Sequence, residues 1–216
     1  MGQSLVGEAI SRQIAEIVAG IADLDPDDAI ATINAIKQAL HAVSPLRDEP
    51  VDCVLWIEAA RVQANDYNPN TVAAPEMRLL EHSIQEDGYT QPIVTWDRGD
   101  DMLEVVDGFH RHRVGSESRP LRKRLHGYLP VTVINAQRTD RGDRIAATIR
   151  HNRARGKHRI DGMSDIVVEL SRRNWSDQRI ARELGMDADE ILRLKQITGL
   201  AEMFADREFS QAWEII

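Results

Sequence analysis

The feature that most narrows the fold is a change of hydrophobic period along the chain. Residues 8–20 and 27–43 repeat Ile, Ala, Val and Leu at helical spacing, and residues 51–134 alternate short β-rich runs with helical stripes. From 159 to 198 the spacing is helical again. Such a pattern predicts a small α/β or α+β core with helices at each end.

Turn chemistry punctuates these blocks. Asp25-Pro26-Asp27-Asp28 is a helix start, with a capping acid, a proline in the first turn and acids at the positive end. The two N-terminal stripes therefore predict a helical hairpin, ended by a linker from Ser44-Pro45 to Glu49-Pro50. Strand signals follow at 51–60, 91–96, 102–106 and 131–134, and Tyr67-Asn-Pro-Asn70 and 97–101 read as turns. Pro75 to Asp87 is an amphipathic helix with Met77, Leu80 and Ile84 on one stripe and Gly88 just past its end. Further helices are expected from Gly108 towards 118, over 140–150, and at 159–172, 177–184 and 188–198.

The last two form a helix-turn-helix pattern. Ser176 caps the first helix, Ile180, Ala181 and Leu184 face inward, and Gly185 makes the turn. Asp187 and Glu190 stand as a capping box, with Ile191, Leu192 and Ile197 apolar beyond them. Leu200, Met203, Phe204, Phe209, Trp213, Ile215 and Ile216 continue an apolar stripe suited to the core, a homodimer contact or a protein partner.

Composition excludes several classes. No apolar run approaches the length of a membrane span, and the N-terminus lacks a basic stretch leading into an apolar one, so a cytoplasmic protein with no membrane partner is expected. Cys53 is the single cysteine, so no intrachain disulfide forms and no cysteine cluster offers a metal site. The formal charge is −8, yet residues 111–126 hold six Arg/Lys against one Glu, and 141–160 hold seven against one Asp. Charge segregated in this way focuses an anion despite a negative total.

Two stretches lie in those basic blocks. Val106-Asp-Gly-Phe-His-Arg-His-Arg113 runs a strand through glycine into a helix, which aims unpaired N–H groups and a positive helix end at one spot. Gly108 allows close approach, Arg111 offers a bidentate cation, and His110 offers a donor or a base. In Ile149-Arg-His-Asn-Arg-Ala-Arg-Gly156, a helix breaking at Gly156 presents Asn152 and Arg153. A solvated basic helix start and a basic surface turn are the plain alternatives.

These pieces occur in a known order. Tyr67-Asn-Pro-Asn70, Leu80–Gly88, Gln91-Pro-Ile93, Val106-Asp-Gly-Phe-His-Arg111 and His151-Asn-Arg153 make residues 51–156, about half the chain, resemble the N-terminal domain of the ParB/sulfiredoxin superfamily. The whole chain, through GMDADEILRLKQITGL and FADREFS, is similar to the IbrB-like branch, described as co-activators of prophage gene expression. The resemblance implies an α+β fold with a small mixed-sheet core between a helical hairpin and an all-helical helix-turn-helix region. Its expected divisions are 1–48, 51–156 and 157–216.

By the same resemblance the first box would grip the phosphates of a nucleoside triphosphate, CTP or ATP with Mg²⁺, through Gly108, His110 and Arg111. Asn152 and Arg153 would supply the second box. The departures are specific: Phe109 replaces the family's glutamate, His110 its next arginine, and His151 the glutamate of the second box. Phe109 also stands where a sulfiredoxin needs its cysteine, so that activity is not expected.

Three functions remain open. One is a nucleotide-binding regulatory protein acting with DNA or a protein partner, and another is a triphosphate-dependent enzyme, a CTPase, ATPase or small-molecule kinase. The third is a non-catalytic scaffold with a degenerate pocket. A transferase would need a base near the γ-phosphate, for which Glu58, Asp107 and His110 are the candidates. DNA contact would fall to Arg172, Arg173, Arg179, Arg182, Arg193 and Lys195. Against them, the second helix of the motif begins with three acids among Asp187–Glu190. No histidine has a second metal-ligand-spaced histidine with an acid between, so no dedicated metal site is expected.

Overall fold

The computed structural model describes residues 5–66, 74–134, 140–153 and 160–204, with the backbone alone for residues 5, 6, 151–153, 160–162 and 198–204. The expected turn at Tyr67–Asn70 lies outside the described residues, as do Phe209, Trp213, Ile215 and Ile216 of the C-terminal stripe. Two compact units emerge. One is Met1–Ala64 with Ala73–Ala136, the other Asn65–Val72 with Gln137–Ile216.

The first unit is built on a five-stranded mixed sheet. Its strands are β1 (Leu55–Glu58), β2 (Val62–Gln63), β3 (Ile93–Asp97), β4 (Leu103–Asp107) and β5 (Tyr128–Val133), in the order β1-β5-β3-β4-β2. β1 pairs antiparallel with β5 and β3 antiparallel with β4, while β3–β5 and β2–β4 are parallel. Val62, Ile93, Leu103, Val105, Leu129 and Val131 form its buried layer.

The helices of this unit are α1 (Leu5–Ala22), α2 (Pro26–Val43), α3 (Ala74–Asp87), α4 (Phe109–Glu117) and α5 (Arg119–Arg124). Asp25 caps α2 as expected, its carboxylate accepting from the Asp27 and Asp28 N–H groups at 3.0 and 3.1 Å. The stripe of α3 packs against α4 and α5, joining Ile84, Val114 and Leu121 with Met77, Leu80 and Leu125. Gly88 ends α3 in the left-handed region at φ 78°. Gly115 is where α4 presses closest, since a Cβ there would run into the Tyr89 hydroxyl and the Leu129 methyl.

α2 also closes a sheet edge. The Asn34 amide accepts from the Trp56 N–H at 3.0 Å and donates to the Trp56 carbonyl at 2.7 Å. Lys37 Nζ donates to the Val54 carbonyl at 2.8 Å. β1 is a terminal strand, so these side chains occupy backbone groups that would otherwise invite another strand.

The second unit is helical: α6 (Arg141–Arg153), α7 (Ile160–Arg172), α8 (Asp177–Leu184) and α9 (Ala188–Phe204). Its core joins Ile145, Ile149, Ile166, Val167, Leu170, Trp175, Ile180, Leu184 and Ile191. The helix-turn-helix follows the expected chemistry. Ser176 accepts from the Arg179 N–H at 3.2 Å, Gly185 is left-handed at φ 64°, and Asp187 accepts from the Glu190 N–H at 2.6 Å. On α9, Ile191 and Leu194 turn inward, and Leu192 and Ile197 are exposed.

Candidate functional site

The turn between β4 and α4 is built by opposed demands. Val105 and Val106 are buried and carry β4 to Asp107, itself buried at the sheet edge of the turn. Gly108 then reverses the backbone at φ 90°, a conformation that a side chain strains, and α4 starts at Phe109 with no side chain capping it. Its first-turn N–H groups and the helix dipole therefore point out of the turn. The first helical bond runs from the His112 N–H to the Gly108 carbonyl at 2.8 Å.

Arg111 folds back over this turn. Its Nη1 donates to Gln91 Oε1 at 3.0 Å and its Nη2 to the Pro92 carbonyl at 3.2 Å, with Asp107 Oδ2 at 3.6 Å. The guanidinium lies so close to Gly108 that a Cβ there would meet Nη2 at 2.9 Å. The close approach granted by Gly108 is thus taken up by Arg111 itself. The result is a cation fixed beside an uncapped helix start.

The neighbours hold that arrangement. The Tyr89 hydroxyl donates to the Arg111 carbonyl at 2.7 Å, and burial pushes the phenol up to about 12, so it stays a donor. His112 Nε2 donates to the Val62 carbonyl at 2.9 Å and ties α4 to β2. Phe109 packs on the sheet core and meets the His110 ring edge-on, with centroids 5.5 Å apart. Both ring nitrogens of His110 are buried without a hydrogen-bond partner, and burial lowers its pKa, which keeps the imidazole neutral.

Asp107, Gly108, His110 and Arg111 come together in one turn. Glu58 does not join them. It ends β1, exposed, three strands from β4, or about 14 Å at the usual strand spacing. Asn152 and Arg153 lie in the last turn of α6, in the helical unit, and their side chains and the break at Gly156 are outside the described residues. Sequence reading missed Gln91, Pro92 and Tyr89 as partners of Arg111. The signal was topological: in an antiparallel pair the start of β3 lies beside the end of β4, and Val94 registers with Asp107.

Of the six cations expected to contact DNA, at least four lie in ion pairs with acids. Arg173 pairs with Glu169 at 3.1 Å, Arg179 with Asp143 at 2.9 Å, Arg182 with Glu183 at 3.7 Å, and Lys195 with Asp177. Arg179 also lies 3.6 Å from the Trp175 ring centroid. Arg172, Arg182 and Arg193 are exposed. Among the described residues no cluster of three or more His, Cys, Asp or Glu is arranged to hold a metal ion. No described helix is long and apolar enough to cross a membrane.

Family models match both parts of the chain, the ParB N-terminal domain at residues 47–149 and the IbrB-like C-terminal HTH domain at residues 158–206. The chain belongs to the ParB-like family, in its IbrB-like branch. YbdM of Escherichia coli (strain K12), an uncharacterized protein, is 53% identical over 97% of this chain and 100% of its own length. Among solved structures, the chain is similar to C-terminally truncated ParB from Caulobacter crescentus. The form complexed to the centromeric parS site has a TM-score of 0.44 and 15% identity, covering 69% of this chain and 75% of that one. The form complexed with CTP-gamma-S has a TM-score of 0.38 and 18% identity, covering 70% and 83%. In this ParB-like chain the described turn and α4 fall inside the first family segment, and α8–α9 inside the second.

Proposed function

We propose that this chain is a nucleotide-responsive regulatory protein of gene expression whose Gly108–Arg111 turn grips phosphate. The observation that carries the reading is the uncapped start of α4 with Arg111 held across it, inside the residues that match the ParB N-terminal domain. Helix N–H groups and a guanidinium are the donors a phosphate needs. The ligand class is a nucleoside triphosphate, CTP or ATP. The turn fits its phosphate, whereas Asp107 already faces Arg111, so Mg²⁺ would be held chiefly by phosphate oxygens and water. Asn152 and Arg153 stay as a second candidate pair on the family motif alone. The helical unit would meet DNA or a protein partner, and prophage genes are the target that the IbrB-like branch implies.

The test is a binding panel of CTP, ATP, GTP and UTP with Mg²⁺, with and without duplex DNA. Arg111→Ala is expected to weaken nucleotide binding about 10- to 100-fold, the loss of one or two charged hydrogen bonds. If no nucleotide binds, or if Arg111→Ala binds as the parent does, the scaffold reading takes its place. Arg153→Ala reports separately on the second box.

One observation favours an enzyme as a second reading. His110 lies in the turn with its pKa lowered by burial, which favours the neutral imidazole that can accept a proton. Product analysis decides it: turnover lost in His110→Ala with nucleotide binding retained is the expected result, and no turnover in the parent rejects it.

A further inference from the structure

The N-terminal hairpin carries a face that its own unit leaves bare. Between Glu8 and Ala22 every residue of α1 is exposed except Ile21, which is half-buried, and α2 has no buried residue. Ile10, Ile14, Ile17 and Val18 are 49%, 54%, 49% and 58% exposed. An 18-residue helix in water depends on packing an apolar face rather than on propensity, so this face requires a cover.

Its pattern says what cover fits. Ile10, Ile14, Ile17 and Ile21, continued by Leu24 in the turn, are spaced four, three, four and three apart, the seam of a heptad repeat. Ser11, Gln13, Val18 and Gly20 flank the seam, so no charge borders it. Glu8, Arg12 and Glu16 share the remaining outward positions with Ala9, Ala15 and Ala19. A rim without charge carries no code for a foreign charged partner, whereas a seam of one repeated residue is complementary to itself, as a two-fold interface demands. Isoleucine at both seam positions suits assemblies of more than two helices, and two hairpins supply four.

The area is sufficient. A helix of this length packed along its seam covers on the order of 600 Å² per protomer, about 1,200 Å² for the pair, the lower end of stable interfaces. The geometry points to a second copy of this chain as the occupant, with the two α1 seams packed together in a homodimeric helical bundle.

Light scattering of the full chain tests this. The parent is expected at about 49 kDa, twice the 24.4 kDa of one chain. Ile14→Glu with Ile17→Glu halves the mass, and Arg12→Glu, off the seam, leaves it unchanged. A second measurement stands even where the charged variant loses α1. In a Cys53→Ser background, Ile14→Cys oxidises to a covalent dimer and Arg12→Cys does not. A parent at 24.4 kDa at every concentration overturns the proposal, including the case in which that monomer floats with phosphatidylcholine vesicles. So does a dimer that the Glu pair fails to split, or equal cross-linking at positions 12 and 14.

Discussion

Single residues of the candidate site are held by burial as much as by bonds. His110 and His112 sit on the same turn of α4, both with pKa values lowered first by burial and, for His112, partly restored by its bond to the Val62 carbonyl. A lowered folded pKa means that the unfolded chain binds the proton more readily. The stability these residues contribute is therefore complete above the unfolded value of about 6.5 and declines as pH falls from there towards the folded values. Urea midpoints measured between pH 7.5 and 5.5 should fall with pH, and His112→Gln, which keeps a donor for Val62 without titrating, should flatten the decline. An unchanged slope in that variant would place the loss elsewhere. The same residues show how a site departs from its family's pattern. Phe109, where the resemblance implies glutamate, packs on the sheet core, and Arg111 lies 3.6 Å from Asp107.

At the scale of elements, strong periodicity was legible and weak periodicity was not. α2, α3 and α8 match their expected spans because caps and glycines fix both ends, as Asp25, Gly88 and Ser176 do. β5 starts at Tyr128, before the expected 131, since Leu129 and Val131 are fully buried on either side of Pro130 and carry the strand through it. β2 spans two residues and α5 six, too short for any period to show, and the basic run Arg122–Arg124 masked the second. Gly108 and Arg111 could be found in sequence because strand, glycine and helix are consecutive. Gln91 and Tyr89 could not, since only the β3–β4 pairing brings them there. The role of Asn34 was equally hidden, as it bonds an edge strand 22 residues away. Asn34→Ala removes two bonds to half-buried backbone groups at about 1 kcal/mol each, so a loss of roughly 2 kcal/mol is expected in urea melts. It also bares the edge of β1, so light scattering on heating should rise earlier than in the parent. A variant that melts as the parent does would show that water replaces the amide without penalty.

Over the whole molecule the charge is −8, and several cations of the helical unit answer acids. This bears on any contact with DNA. A phosphate contact costs least for a cation whose pairing holds no helices together, whereas the helical unit spends Arg173, Arg179 and Lys195 on Glu169, Asp143 and Asp177. Those pairs join α7 to its own last turn, α8 to α6 and α9 to α8, so freeing them costs packing as well as charge. Exposed Arg172, Arg182 and Arg193 are the other candidates, Arg182 beside its neighbour Glu183 at 3.7 Å, against exposed Asp187 and Asp189 at the start of α9. About three released counterions set a slope near −2.7 for log affinity against log salt, at roughly −0.9 per contact. Arg182→Ala with Arg193→Ala should bring that slope to about −1 and weaken binding evenly across DNA sequences. A parent slope near −5 would mean instead that the paired cations leave their acids for phosphate. In that event Asp143→Asn, which removes the partner of Arg179, should tighten DNA binding. Titration of the two variants and the parent over a salt series separates a weak electrostatic contact from an interface that rebuilds the helix-turn-helix on DNA.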